Sequence, residues 1–298
     1  MNRVMIAGFD GSDASRAATE WAAREAERRE LPLEILQAWP WGHGKAPSTG
    51  QAEQWGREQL TARADEIRSR FTDLDVRETH VRKDPVGVLA AAADRAAILV
   101  LGSRGLGALR GFLVGSVSHQ VLTQATCPVV LVRAPSGGPT GDDGPASHGT
   151  AGDDSAGEGV ILGLDLAYPC QEVPAFAFET AAERGAPLTV VHAWGPPAGS
   201  EYLHFGATGE LQQEPTEAEQ RALEEAVTPW RERYPDLPTA TAMLRGHAGL
   251  TLVDAGATAE LLVVGAHRRR SPAGTHLGSV AHAVIHHVGC PVAVVPYH

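Results

Sequence analysis

ILVLGSRGLGALRGFLVGSVSHQVLTQATCPVVLV, residues 98–132, returns near the end of the chain as LLVVGAHRRRSPAGTHLGSVAHAVIHHVGCPVAVV, residues 261–295. The stretch opens on a run of branched apolar residues and passes through glycines. It then continues at helical spacing and closes on a second apolar run, which reads as strand, loop, helix, strand. Its return at an offset of 163 residues makes the chain a tandem repeat. Working outward, VMIAGFD (4–10) is answered by GVILGLD (159–165), and LPLEILQAW (31–39) by APLTVVHAW (186–194), both at an offset of 155. The rise in offset predicts an insertion in the second copy, and segment 195–220 is where it falls.

Between the copies lies APSGGPTGDDGPASHGTAGDDSAGEG (134–159), rich in Gly, Pro, Ser and Asp. Such a composition buries too little apolar surface to offset its ordering entropy, so it predicts a flexible linker. The expected organisation is a first domain over 1–134, a linker over 135–158 and a second domain over 159–298. Each copy alternates strand and helix. In the first, strands are expected at Val4–Phe9, Leu33–Ala38, Asp75–Val81, Ile98–Leu101 and Val129–Val132. Helices are expected after Ser12 or Asp13, around Ala52–Phe71, around Val86–Arg95 and from Ser116. The first helix would turn Ala14, Ala18, Trp21, Ala22 and Ala26 inward. Alternation with short links predicts an α/β fold, two doubly wound domains, each a five-stranded parallel sheet with helices on both faces. Ligands in such folds lie at the carboxyl ends of the strands.

The chain has 298 residues, enough for two such cores, with 43% hydrophobic and 20% charged residues. A formal net charge of −11 argues against nucleic acid or an anionic membrane as partner. The three cysteines, Cys127, Cys170 and Cys290, show no CxxC spacing, which suits a reduced cytoplasmic setting. The N-terminus runs directly into a strand, and no run predicts a membrane span, so the reading is of a soluble protein. Cys127 and Cys290, each before a Pro-Val strand, read as small core residues. His282 and His286 stand four apart on a predicted helix, but without a third ligand they read as surface histidines rather than a metal pair. Trp39 and Trp194 each end a second strand, either beside a ligand pocket or simply buried.

The loop after the fourth strand carries the chemistry. Gly102 and Gly105 allow tight turns that bring backbone N–H groups toward a ligand. Gly115 and Ser116 stand at a helix N-terminus, where unpaired N–H groups and the helix dipole attract an anion. Together they describe a phosphate cradle. Glycines in loops also serve ordinary turns, and Ser116 also serves as a helix cap; the spacing decides between the two. Glycine, two residues, glycine, nine residues, glycine-serine resembles the ATP-binding signature of the universal stress protein family. GFDGS after the first strand, QAW or HAW ending the second, and the CPV-led final strand are similar to that family too.

The resemblance covers nearly all of the chain outside the linker, and it implies further roles. Adenine would lie near the ends of the first two strands, at Gly8 and Ala38. Asp10 would lie near the ribose and the metal–phosphate region, and a carboxylate at a strand's carboxyl end suits that place; the plainer role for Asp10 is a turn or capping aspartate. Ribose and phosphates would meet Gly102, Arg104, Gly105, Gly115, Ser116 and Val117. The cofactor implied is ATP with Mg²⁺. The corresponding places in the second copy are Asp165, Ala193, Gly265, Gly278 and Ser279. That copy departs from the pattern, because Arg268 replaces the second glycine and Leu166-Ala167 replaces the Gly-Ser pair. Two readings of Arg268 stand side by side: a side chain that fills the phosphate space, or, within His267–Arg270, a cluster that grips phosphate by charge. The resemblance also implies that the final strands, Val129–Val132 and Val292–Val295, pair antiparallel within one chain, and it leaves open whether a homodimer forms.

The function so implied is an adenine-nucleotide-binding stress-response protein without dedicated catalytic machinery. The loop lacks the Lys-Ser/Thr pair of a P-loop NTPase, so any ATP hydrolysis is expected to be slow. Two other classes compete with it. An adenylyl-transferring enzyme would be expected to carry a run such as SGGxDS, where this chain has Asp10-Gly11-Ser12-Asp13. An interaction module would work through protein contacts with no nucleotide.

Overall fold

The computed structural model describes residues 3–39, 49–103, 115–134, 159–195, 217–267 and 277–297. Backbone contacts divide the chain into two units, one built from Met1–Ser155 and one mainly from Ala156–Arg270 and His276–His298. The linker 135–158, the insertion over 196–216, and loop positions Arg104, Gly105 and Arg268 lie outside the described residues.

The first unit runs β1 (Val4–Gly8), α1 (Asp13–Arg28), β2 (Leu33–Ala38), α2 (Thr49–Arg70), β3 (Val76–Val81), α3 (Pro85–Ala93), β4 (Ala96–Ser103), α4 (Ser116–Gln124) and β5 (Val129–Arg133). Its strands lie in the order β3-β2-β1-β4-β5, and every pairing among them is parallel. Successive residues of β1 and β4, such as Met5, Ile6, Leu99 and Val100, are fully buried. Neighbours on a strand point to opposite faces, so both faces of the sheet are covered, as a doubly wound sheet requires. On one face lie α1 and α2; on the other, α3 and α4.

Local chemistry sets the helix ends. Ser12 caps α1, its hydroxyl accepting from the Ser15 N–H at 3.2 Å, with Asp13 in the first turn and Arg28 in the last to match the dipole. Ala14, Ala18, Ala22 and Ala26 are buried as their spacing predicts, whereas Trp21 is only half-buried. Small residues on this face let α1 lie close to the sheet. Asp84 caps α3, whose first residue is Pro85, a position where proline's missing N–H costs nothing.

The second unit repeats the plan with β6 (Val160–Gly163), α5 (Glu172–Arg184), β7 (Leu188–Trp194), α6 (Glu217–Arg233), β8 (Thr239–Arg245), α7 (Ala248–Ala255), β9 (Leu261–His267), α8 (Ser279–His287) and β10 (Val292–Tyr297). Its order is β8-β7-β6-β9-β10, again parallel throughout. One element is displaced. Helix α1 begins three residues after Asp10, but α5 begins only at Glu172, seven after Asp165. Pro169 disfavours helical geometry at Tyr168, and the Gly-Ser pair that opens α1 is missing.

Candidate functional site

A cleft of about 180 Å³ opens at the carboxyl ends of β1, β2 and β4 in the first unit, lined by Gly8, Phe9, Asp10, Ser12, Ser15, Leu36, Ala38, Leu89, Leu101, Gly102, Gly115, Ser116, Val117 and Ser118. It unites every site residue expected in this unit that falls among the described residues: Gly8, Asp10, Ala38, Gly102, Gly115, Ser116 and Val117. The parallel register explains the meeting, since Gly8 pairs with Leu36 and Gly102 with Val132, all near the strand ends.

A turn and a helix end shape the mouth. After β1 the chain reverses through Gly11, whose φ of +84° lies in the region that favours glycine. That turn lets Asp10 Oδ1 accept from the Ser12 N–H at 3.0 Å and the Ser12 hydroxyl at 2.5 Å. Asp10 is therefore a turn aspartate, and it is also exposed at the cleft. Opposite it stands Gly115, the N-cap of α4, which has no side chain to supply a capping hydrogen bond. The first N–H groups of α4 thus lack a side-chain cap, an arrangement suited to an anion. The Ser118 hydroxyl donates to the Gly102 carbonyl at 3.1 Å and ties α4 to the end of β4.

Gly102 also has a packing role that its place in the loop does not reveal. A Cβ there would stand 2.6 Å from the carbonyl carbon of Ala14 and 2.7 Å from the Ser15 nitrogen. Glycine is required because α1 lies against it, whatever ligand the cleft takes. Phe9, Ser12, Ser15, Leu36, Leu89, Leu101 and Ser118 were not read as site residues. Ser12 was legible in GFDGS, but Leu89 reaches the cleft from α3 through packing that spacing does not encode.

Trp39 lies against α2, where a Cβ on Gly56 would be 2.7 Å from its ring. It does not line the cleft, so simple packing accounts for it. Cys127 and Cys290 are buried, and burial pushes the Cys127 thiol up to about 12. His282 and His286 have ring centroids 4.3 Å apart, and His286 is buried rather than a surface residue. Among the described residues no group of three or more His, Cys, Asp or Glu gathers as metal ligands. Among them also no helix is long and apolar enough to cross a membrane.

In the second unit, Asp165 Oδ1 accepts from the Ala167 N–H at 2.9 Å, repeating the Asp10 turn. Gly278 caps α8 without a side-chain bond, and Ser279 follows it, as Gly115 and Ser116 do. Ala193 ends near the top of β7, paired with Leu244. The flank of Gly265 differs. Where Gly102 meets the start of α1, a Cβ on Gly265 would meet the Tyr297 ring at 2.7 Å. The ring of His267 lies between those of Tyr168 and Tyr297, at centroid distances of 5.7 and 5.1 Å. Val173, in the first turn of α5, would stand 3.1 Å from that same Cβ on Gly265, so α5 also reaches this flank.

A family model described as the universal stress protein family matches residues 1–133 and again 159–296. A universal stress protein of Mycobacterium tuberculosis strain H37Rv is 32% identical over 302 residues, covering 97% of this chain and 96% of that protein. One from Mycolicibacterium smegmatis is also 32% identical over 302 residues, covering 98% and 96%. Among solved structures, a universal stress protein from Archaeoglobus fulgidus aligns over 99% of both chains with a TM-score of 0.71 at 17% identity, a likeness of fold.

Proposed function

The chain belongs to the universal stress protein family, with two copies of the family domain in tandem, and on that premise we propose that it is an adenine-nucleotide-binding regulatory protein. Its ligand is ATP with Mg²⁺, held in the cleft of the first unit. The observation that carries this reading is the convergence of an α4 N-terminus without a side-chain cap, the Asp10 carboxylate and the strand ends at Gly8 and Ala38 in one cleft. The donors fit the ligand. The α4 N–H groups and the Ser116 hydroxyl would take phosphate oxygens. Asp10 would accept from ribose hydroxyls or hold Mg²⁺ through oxygen. The base would lie against the apolar wall made by Leu36, Ala38, Leu89 and Leu101. At about 180 Å³ the described cleft is smaller than the roughly 300–1,000 Å³ of most ligand sites, so it holds part of the nucleotide while the rest lies across the mouth.

The described lining contains no histidine, lysine or arginine, and one carboxylate that is already engaged in a turn. Among the described residues no histidine and no carboxylate other than Asp10 lines the cleft beside the α4 N-terminus, which favours binding over turnover. The second unit keeps Gly278-Ser279 but has lost the early helix start, so its affinity is expected to be the weaker. Calorimetric titration of the nucleotide-stripped chain with ATP and Mg²⁺ tests the reading. A first site in the first unit, with a second much weaker or missing, is the expected result. No heat of binding would overturn it and leave the interaction module as the better account.

A further inference from the structure

A larger cavity, about 550 Å³, lies in the first unit between β3 and α3, and its lining shares only Leu36 with the described lining of the cleft. We propose that this groove binds a small organic monoanion with an apolar body, of the medium-chain carboxylate class. The inference stands independently of the nucleotide site.

The lining explains the class. Leu36, Val81, Val88, Ala91 and Ala92 make an apolar trough that follows α3, a helix of nine residues and so about 13 Å long. Each methylene buried there stabilises a complex by about 0.8 kcal/mol. The two ends of the trough differ in charge. At one, the Arg95 guanidinium grips Glu34 with contacts of 2.5 and 2.8 Å, so its charge is already matched. At the other, Lys83 is exposed and has no carboxylate partner among the described residues. The neighbouring carboxylate, Asp84, is engaged in capping α3, accepting from the Gly87 N–H at 2.9 Å. One available cation beside an apolar trough suits a single anionic head with a hydrocarbon tail. It does not suit a nucleotide, which would ask for more charge and more donors.

The repeat supplies an internal comparison. At the offset of 163 residues, Gly246 stands in place of Lys83 and Thr258 in place of Arg95. Asp254 replaces Ala91 on the trough wall, and Leu250, 59% exposed, replaces Gly87. The second copy has therefore exchanged the cation for a neutral residue and put a carboxylate where the tail would lie. The prediction is one site per chain.

The test is calorimetric titration of the full-length chain with decanoate, with and without saturating ATP. We expect one site, undisturbed by ATP. Lys83→Glu should weaken it about tenfold through loss of a charge-assisted contact, and Ala91→Trp should abolish it by filling the trough. ATP affinity should be the same in both variants as in the parent, which also reports that they fold. Absence of binding at millimolar decanoate, displacement by ATP, or indifference to both substitutions would overturn the proposal. Decanoate binding without ATP binding would instead overturn only the nucleotide reading.

Discussion

Gly102 shows how one position serves both packing and site. With the α1 backbone 2.6 Å from where its Cβ would be, Gly102→Ala forces α1 or β4 to shift. Overpacking of this kind costs about 1–3 kcal/mol, and urea denaturation should register it as a lower midpoint at unchanged slope. An unaltered midpoint would mean that α1 moves freely. The residue was legible as a site glycine from its place after ILVL, but its cause was not, because the atoms it meets belong to a helix far away in sequence. Asp10 was legible in both of its roles, since GFDGS carries the turn chemistry and the strand end carries the exposure. The ring cluster of Tyr168, His267 and Tyr297 in the second unit was only half legible: the missing Gly-Ser pair was visible, while the rings come from three separate segments.

At the scale of elements, α2 shows where pattern reading is weakest. Its docking onto the sheet relies on buried polar groups as much as on an apolar stripe. Arg63, 4% exposed, donates to the Thr19 hydroxyl at 2.7 Å and to the Arg16 carbonyl at 2.8 Å. Gln37 donates to the Gly56 carbonyl at 3.1 Å. Periodicity therefore located the helix but set its start at Ala52, three residues late. Arg63→Leu removes these donors and leaves Glu20 with one partner fewer. The expected loss is roughly 3 kcal/mol, read by thermal or urea unfolding; a neutral outcome would show that α2 is held by its apolar residues alone. The strands were the easiest elements to read, because short branched apolar runs bounded by Gly and Pro leave little ambiguity.

For the molecule as a whole, several carboxylates carry the response to acid. Burial pushes the Glu34 carboxyl up, but hydrogen bonds from Arg95 and Thr79 and the charges of Arg95 and Arg77 outweigh it and hold the group below its ordinary value of 4.5. Arg63 holds Glu66 low, and Thr241 and Arg231 do the same for Glu224. Each depressed group contributes stability that is present above its unfolded value and is lost as pH falls through the folded one. The melting temperature should therefore hold steady from neutrality to about pH 5 and fall below it, with Glu34→Gln flattening part of the acid limb. A melting temperature indifferent to pH between 5 and 3 would contradict the assignment.

The central claim, that an α4 N-terminus without a side-chain cap holds the nucleotide's phosphates, is tested most directly by Ser116→Pro. Ser116 is the first residue of α4, where proline's ring and missing N–H are tolerated. Gly115 before it has φ −57° and ψ 145°, already the geometry that a following proline demands. The substitution removes one N–H and one hydroxyl from the cleft and leaves the helix intact. Calorimetry with ATP and Mg²⁺ should show affinity lowered at least tenfold, about 1.4 kcal/mol, at an unchanged melting temperature. Equal affinity in the two proteins would contradict the account.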